Sequence, residues 1–181
     1  MVVVATSVRL NLGCGDYPLA EHINIDASPH PGVTMVLTVP PLPWPDGSVA
    51  EIYAGHFLEH LDLERGRELL AESFRVLERG GTLGIVVPDF REVARRYVEQ
   101  EVAPFDWSDG RHDLRDLDEL CHYILFSTIQ PSQHRWAYEL ATLERALQRA
   151  GFEVLGEIDR YTDPRLSTPQ WYQCGTQARK P

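Results

Sequence analysis

The chain has 181 residues, 43% of them hydrophobic and 24% charged, and a formal net charge of −10. A chain of this length suits one domain, able to bury roughly 70% of the surface exposed when unfolded. The acidic balance speaks against a nucleic-acid partner, which needs clustered Lys and Arg to neutralise phosphates; the one near-run, Arg91, Arg95 and Arg96, reads as a solvated helix face.

Strands and helices alternate along the chain, the pattern of a mostly parallel sheet covered on both faces. Residues 8–12 form the first predicted strand and residues 22–26 the second. Their connection is close to the minimum for a parallel crossover, so a first helix here is reduced to a turn or two. Residues 33–39 read as a third strand. The stretch Pro40-Pro41-Leu42-Pro43-Trp44-Pro45-Asp46-Gly47 cannot be helix or central strand and reads as a surface loop.

Residues 49–54 form a fourth predicted strand. A helix follows over residues 59–78, burying Leu70, Phe74 and Leu77, with Gly80 placed for a left-handed C-terminal conformation. Residues 83–87 have the β-branched character of a buried central strand. Phe90, Val93, Ala94 and Tyr97 fall at helical spacing on one apolar face. Further helices are predicted over residues 113–126 and 138–150, and closing strands over 152–158 and 171–177. Nothing marks a second-domain boundary, and residues 99–136 are expected to form a lid or acceptor wall on the substrate side.

No apolar stretch approaches the roughly 18 residues needed to cross a bilayer. Residues 1–5 lack the charged leader of a signal peptide. The three cysteines are odd in number and form no C-x-x-C pair, which indicates neither a disulfide framework nor a structural zinc. The cytosol is the expected compartment, and nothing in the sequence addresses oligomeric state.

The most informative feature is Leu10-Asn11-Leu12-Gly13-Cys14-Gly15 followed by Asn24-Ile25-Asp26. A strand running into Gly-x-Gly lets the backbone turn sharply and a ligand approach the main chain. A second strand ending on a carboxylate offers two acceptor oxygens to a ribose diol. A dinucleotide fingerprint would place a third glycine where Pro18 stands and its ribose acid about 20 residues on. Pro18 has no N–H for a pyrophosphate, and Asp26 comes too early. The details favour S-adenosyl-L-methionine, against the simpler alternative of a tight turn between two core strands.

Four further motifs follow in order: Leu42-Pro43-Trp44-Pro45-Asp46-Gly47-Ser48, Ala54-Gly55-His56-Phe57-Leu58-Glu59-His60, Arg75-Val76-Leu77-Glu78-Arg79-Gly80-Gly81 and Val86-Val87-Pro88-Asp89. Weaker echoes are Gln133-His134-Arg135-Trp136 and Ala150-Gly151-Phe152. Together they make the sequence resemble the class I S-adenosylmethionine-dependent methyltransferases, and most nearly their compact bacterial members with an abbreviated first helix. The resemblance implies a Rossmann-like three-layer α/β sandwich whose seven-stranded, mostly parallel sheet has an antiparallel last strand. It also implies that Asn11, Leu12, Gly13, Cys14, Gly15, Asp26, Ala27, Leu37, Thr38, Gly55 and His56 surround the cofactor. The sequence departs from the pattern at Thr38, where relatives place an acid for the adenine amine.

The implied activity is methyl transfer to a small-molecule acceptor at oxygen, a sugar or a biosynthetic intermediate. Such transfer needs alignment and exclusion of water, and a base if the acceptor is a hydroxyl. His56 is the first candidate base, His134 the second, and Asp89 a candidate substrate contact or N-cap. Glu59 and His60 share a helical face with His56 at metal-like spacing. Without a firmly placed third ligand no metal is expected, and His60 reads as fixing the helix start. The alternative function is a binding or partner protein that keeps the fold without the activity.

Overall fold

The computed structural model describes residues 7–101, 134–158 and 171–181. The predicted helix over 113–126 and most of the expected lid lie outside these residues. Seven strands form one sheet in the order β3-β2-β1-β4-β5-β7-β6. They are β1 (Val8–Leu12), β2 (Ile23–Asp26), β3 (Met35–Val36), β4 (Val49–Gly55), β5 (Leu77–Pro88), β6 (Glu153–Ile158) and β7 (Gln173–Arg179). Neighbouring strands from β3 to β5 are parallel, and β7 runs antiparallel to both β5 and β6. Helices α1 (Leu63–Val76), α2 (Phe90–Glu99) and α3 (Leu140–Arg149) flank the sheet. The architecture is the expected Rossmann-like one. No helix among the described residues is long and apolar enough to cross a membrane.

The core follows from strand composition. Leu10, Leu12, Ile25, Ile52, Leu83 and Ile85 are buried on the sheet, and α3 adds Leu143 and Leu147. Burial on both faces explains why the central strands are apolar runs instead of alternating patterns.

Several boundaries differ from the sequence reading, each for a physical reason. Between β1 and β2 the chain makes turns and no helix. The third strand shrinks to two residues beside β2, at the edge of the sheet among the described residues. The helix predicted over 59–78 is split into a short 3-10 turn at Leu58–His60 and α1. The carbonyl of Glu59 accepts the amides of Arg135 and Trp136 at 2.7 and 3.2 Å, so it is taken away from a continuing helical ladder. Asp62 then restarts the helix, its side chain accepting from the Arg65 amide. At the other end Leu77 opens β5, fully buried opposite Val49. Gly80 does take the left-handed region (φ 81°), but in a register shift of β5 instead of a helix cap. Of the apolar face predicted on α2 only Val93 is buried; Phe90 and Tyr97 are 46% and 47% exposed.

One arginine fastens the proline-rich loop to α1. Arg75 donates to both carboxylate oxygens of Glu72 at 2.8 Å, to Asp46 at 2.7 Å, and to the carbonyls of Leu42 and Trp44 at 2.8 and 2.9 Å. Glu72 accepts in turn from the Leu42 amide at 2.9 Å. Hydrogen bonding from Arg75, helped by the Leu42 N–H and the guanidinium charge, outweighs burial and holds the Glu72 carboxyl at about 2. A carboxyl depressed in the folded state stabilises above its unfolded value and loses that contribution as pH falls towards the folded one. Glu72→Gln is therefore expected to cost roughly 1–3 kcal/mol near neutrality. The gap in Tm between wild type and variant should close as pH falls from about 4.5 towards 2, read by thermal melts across that range.

Candidate functional site

A cleft of about 410 Å³ opens beyond the carboxyl ends of β1 to β4. Each strand delivers part of its wall in the segment that follows it. Gly13 comes after β1, Asp26 and Ala27 close β2, Leu37, Thr38 and Val39 leave β3, and Phe57, His60 and Leu61 follow β4. Asp62 and Arg65 from the start of α1 complete one side, and Arg135 another.

The turn after β1 is shaped by two left-handed glycines, Gly13 (φ 62°) and Gly15 (φ 50°). Gly15 donates its amide to Asp26 Oδ2 at 2.9 Å, and the Ser28 amide reaches Oδ1 at 2.9 Å. The carboxylate is thereby oriented by main-chain donors on both oxygens, each keeping acceptor capacity. Behind it, Asn11 is fully buried and donates to Asn24 Oδ1 at 2.8 Å, while Asn24 accepts from the Leu19 amide and donates to its carbonyl. This pair holds the crossover in place of a helix. Phe57 lies against Gly13 so closely that a β-carbon there would sit 2.3 Å from its ring.

Of the residues expected around the cofactor, Gly13, Asp26, Ala27, Leu37 and Thr38 line the cleft. Asn11, Leu12, Cys14, Gly15 and Gly55 do not line it; of these only Gly15 is not buried. His56, in the left-handed region (φ 51°), does not line it either. Its Nε2 lies 2.9 Å from Gln173 Oε1 and its Nδ1 3.3 Å from Glu59 Oε1. Asp89 caps α2, accepting from the amides of Arg91 and Glu92, and borders a separate 260 Å³ depression with Glu139, Glu144 and Glu157. The structure therefore does not bring the three candidate catalytic residues together on one cavity.

What it does bring together is Glu59, His60 and His134. The last two stack edge to face, ring centroids 4.7 Å apart. Glu59 is 2% exposed. Burial pushes its carboxyl up, but His56, followed by His60 and His134, more than offsets this and holds it below the ordinary range. Sequence reasoning did not place Val39, Phe57, His60, Leu61, Asp62, Arg65 or Arg135 on the cleft. Phe57, His60 and Arg135 sit inside quoted motifs, a usable signal; Asp62 and Arg65 carried none beyond helix capping.

Gly13→Ala should be poorly tolerated, since a left-handed alanine costs about 1–2 kcal/mol before the clash with Phe57 is counted. Thermal unfolding should show a lower Tm for this variant than for Gly47→Ala, where φ is 65° but nothing lies within 4 Å of the new β-carbon.

No protein-family model matches the sequence, and no curated protein matches it. Solved structures do. A SAM-dependent methyltransferase from Thermotoga maritima superposes with TM-score 0.61 at 17% identity, over 99% of this chain and 84% of its own. One from Archaeoglobus fulgidus gives 0.57 at 17%, over 96% and 86%. The [4+2]-cyclase SpnF gives 0.56 at 17%, over 99% and 76%. Sheet order, strand directions and these likenesses agree: the chain has the class I S-adenosylmethionine-dependent methyltransferase fold.

Proposed function

We propose that the chain is an S-adenosylmethionine-dependent methyltransferase acting on a small-molecule acceptor, at oxygen. The observation that carries this reading is the pairing of the Gly13 turn and the Asp26 carboxylate on one cleft at the carboxyl ends of parallel strands, where open α/β sheets bind ligands. In this reading Asp26 takes the ribose hydroxyls and the Gly13 turn passes beneath the methionine part. Leu37, Thr38 and Val39 flank the adenine. Asp62, which shares that cleft, supplies the carboxylate that Thr38 lacks.

The sulfonium carries its own leaving group, so the protein's work is alignment and exclusion of water. His60, Arg135 and the neighbouring His134 face the acceptor side; His56 and Asp89 support the walls. The chain's acidic charge fits a small acceptor better than a polyanion.

A second reading is a protein that binds the cofactor without transferring its methyl group. The likeness to a [4+2]-cyclase favours keeping it, since this fold also houses other chemistry.

S-adenosylhomocysteine at 100 times its Kd should add about 2.7 kcal/mol to stability, seen as a rise in Tm that NAD does not produce. Asp26→Ala, which leaves a ribose diol without its acceptors, should weaken binding by roughly 5- to 150-fold, from 1–3 kcal/mol. Absence of any shift with an intact fold would overturn the reading. Cofactor binding without formation of S-adenosylhomocysteine across an acceptor panel would favour the second.

A further inference from the structure

Beside His134, Glu59 and His60 carry buried polar atoms that no hydrogen bond uses. Neither carboxylate oxygen of Glu59 makes a hydrogen bond, although both are buried, and His60 Nδ1 is likewise buried without one. His56 Nδ1 approaches the carboxylate at 3.3 Å and helps hold it ionised, while leaving most of its acceptor capacity unfilled. A buried carboxylate in that condition is costly unless a cation sits against it.

We infer that Glu59, His60 and His134 bind a divalent transition-metal cation, with Zn2+ the best match. One ligand atom from each of the three lies within 4.8 Å of the others. Ligand atoms around a tetrahedral zinc stand about 3.4 Å apart, given bonds near 2.0–2.1 Å, so closure asks for movements of about 1 Å. A carboxylate with two imidazoles is a donor set that suits zinc and its neighbours over magnesium or calcium, which prefer all-oxygen shells. Spacing within Glu59-His60 could not by itself supply three ligands. The third arrives because the chain returns to the 58–60 turn, where the amides of Arg135 and Trp136 both donate to the Glu59 carbonyl.

The surroundings fit. His56 touches the carboxylate on one side and Gln173 on the other, the kind of outer support that orients a metal-binding carboxylate. His60 lines the cleft, so a cation held here borders the space for an acceptor. Three protein ligands leave a fourth position for an oxygen donor, and a hydroxyl bound there would be more acidic and better aligned for methylation. That last step rests on the methyl-transfer reading; the metal site does not.

The test uses the full chain stripped with a chelator, then titrated with Zn2+ by calorimetry and with Co2+ by visible absorption. The expected result is one equivalent of Zn2+ per chain and the d–d bands of a low-coordinate cobalt site. His134→Ala and Glu59→Gln should each weaken binding at least tenfold, with circular dichroism confirming the fold. His22→Asn, which alters a histidine outside the cluster, should bind as wild type does. Because Glu59 is buried in the fold, His134→Ala decides the outcome. Zn2+ bound equally by wild type and His134→Ala, lost equally in His22→Asn, or not bound at all overturns the inference. Tm shifts with S-adenosylhomocysteine in the same metal-free samples show separately whether the cofactor reading stands.

Discussion

The site depends on a short bridge between two parallel strands. A parallel crossover normally takes a dozen or more residues and a helix, but here only turns join β1 to β2. What replaces the helix is side-chain hydrogen bonding: buried Asn11 to Asn24, and Asn24 to the main chain at Leu19. The Asn11 amide nitrogen and both ends of the Asn24 amide are satisfied in this way, which fixes the two side chains against each other. With them in place, the Gly15 amide is brought to Asp26 Oδ2, and the cleft acquires a carboxylate that is oriented before any ligand arrives. Little side-chain ordering then has to accompany binding.

The rest of the wall is added strand by strand, and the stabilising contacts lie outside it. The proline-rich loop cannot use a regular ladder, and Arg75 with Glu72 takes over by gathering two carbonyls, one amide and two carboxylates. β7 begins at Gln173, opposite Pro88, and Trp171 lies before it with the Arg96 guanidinium 4.2 Å from its ring centroid.

The sheet and the Gly13 and Asp26 part of the cleft were legible in the sequence because both are local. Apolar runs such as residues 83–87 mark buried strands, and Gly13, Gly15 and Asp26 are tied by spacing within a single crossover. Less was legible where distant residues compete for one group. The 59–78 helix was predicted unbroken since nothing local tells that the Glu59 carbonyl is claimed by Arg135 and Trp136. The same long-range return brings His134 to His60. The contacts of His56 with Glu59 and Gln173 also depend on a partner from the last strand, which position along the sequence does not register. Asp89 went the other way: its capping alternative was visible locally, and the cap is what the helix uses.

The double acceptor at Glu59 has a mechanical meaning. Its carbonyl anchors the incoming chain at Arg135 and Trp136, while its side chain sits among the histidines. Backbone and side chain of one residue thus belong to two neighbouring parts of the cleft, and neither can shift without the other. Local opening occurs in cooperative units set by shared contacts. The histidine wall and the returning segment at Arg135 and Trp136 therefore share one residue, and a displacement of either is felt by the other.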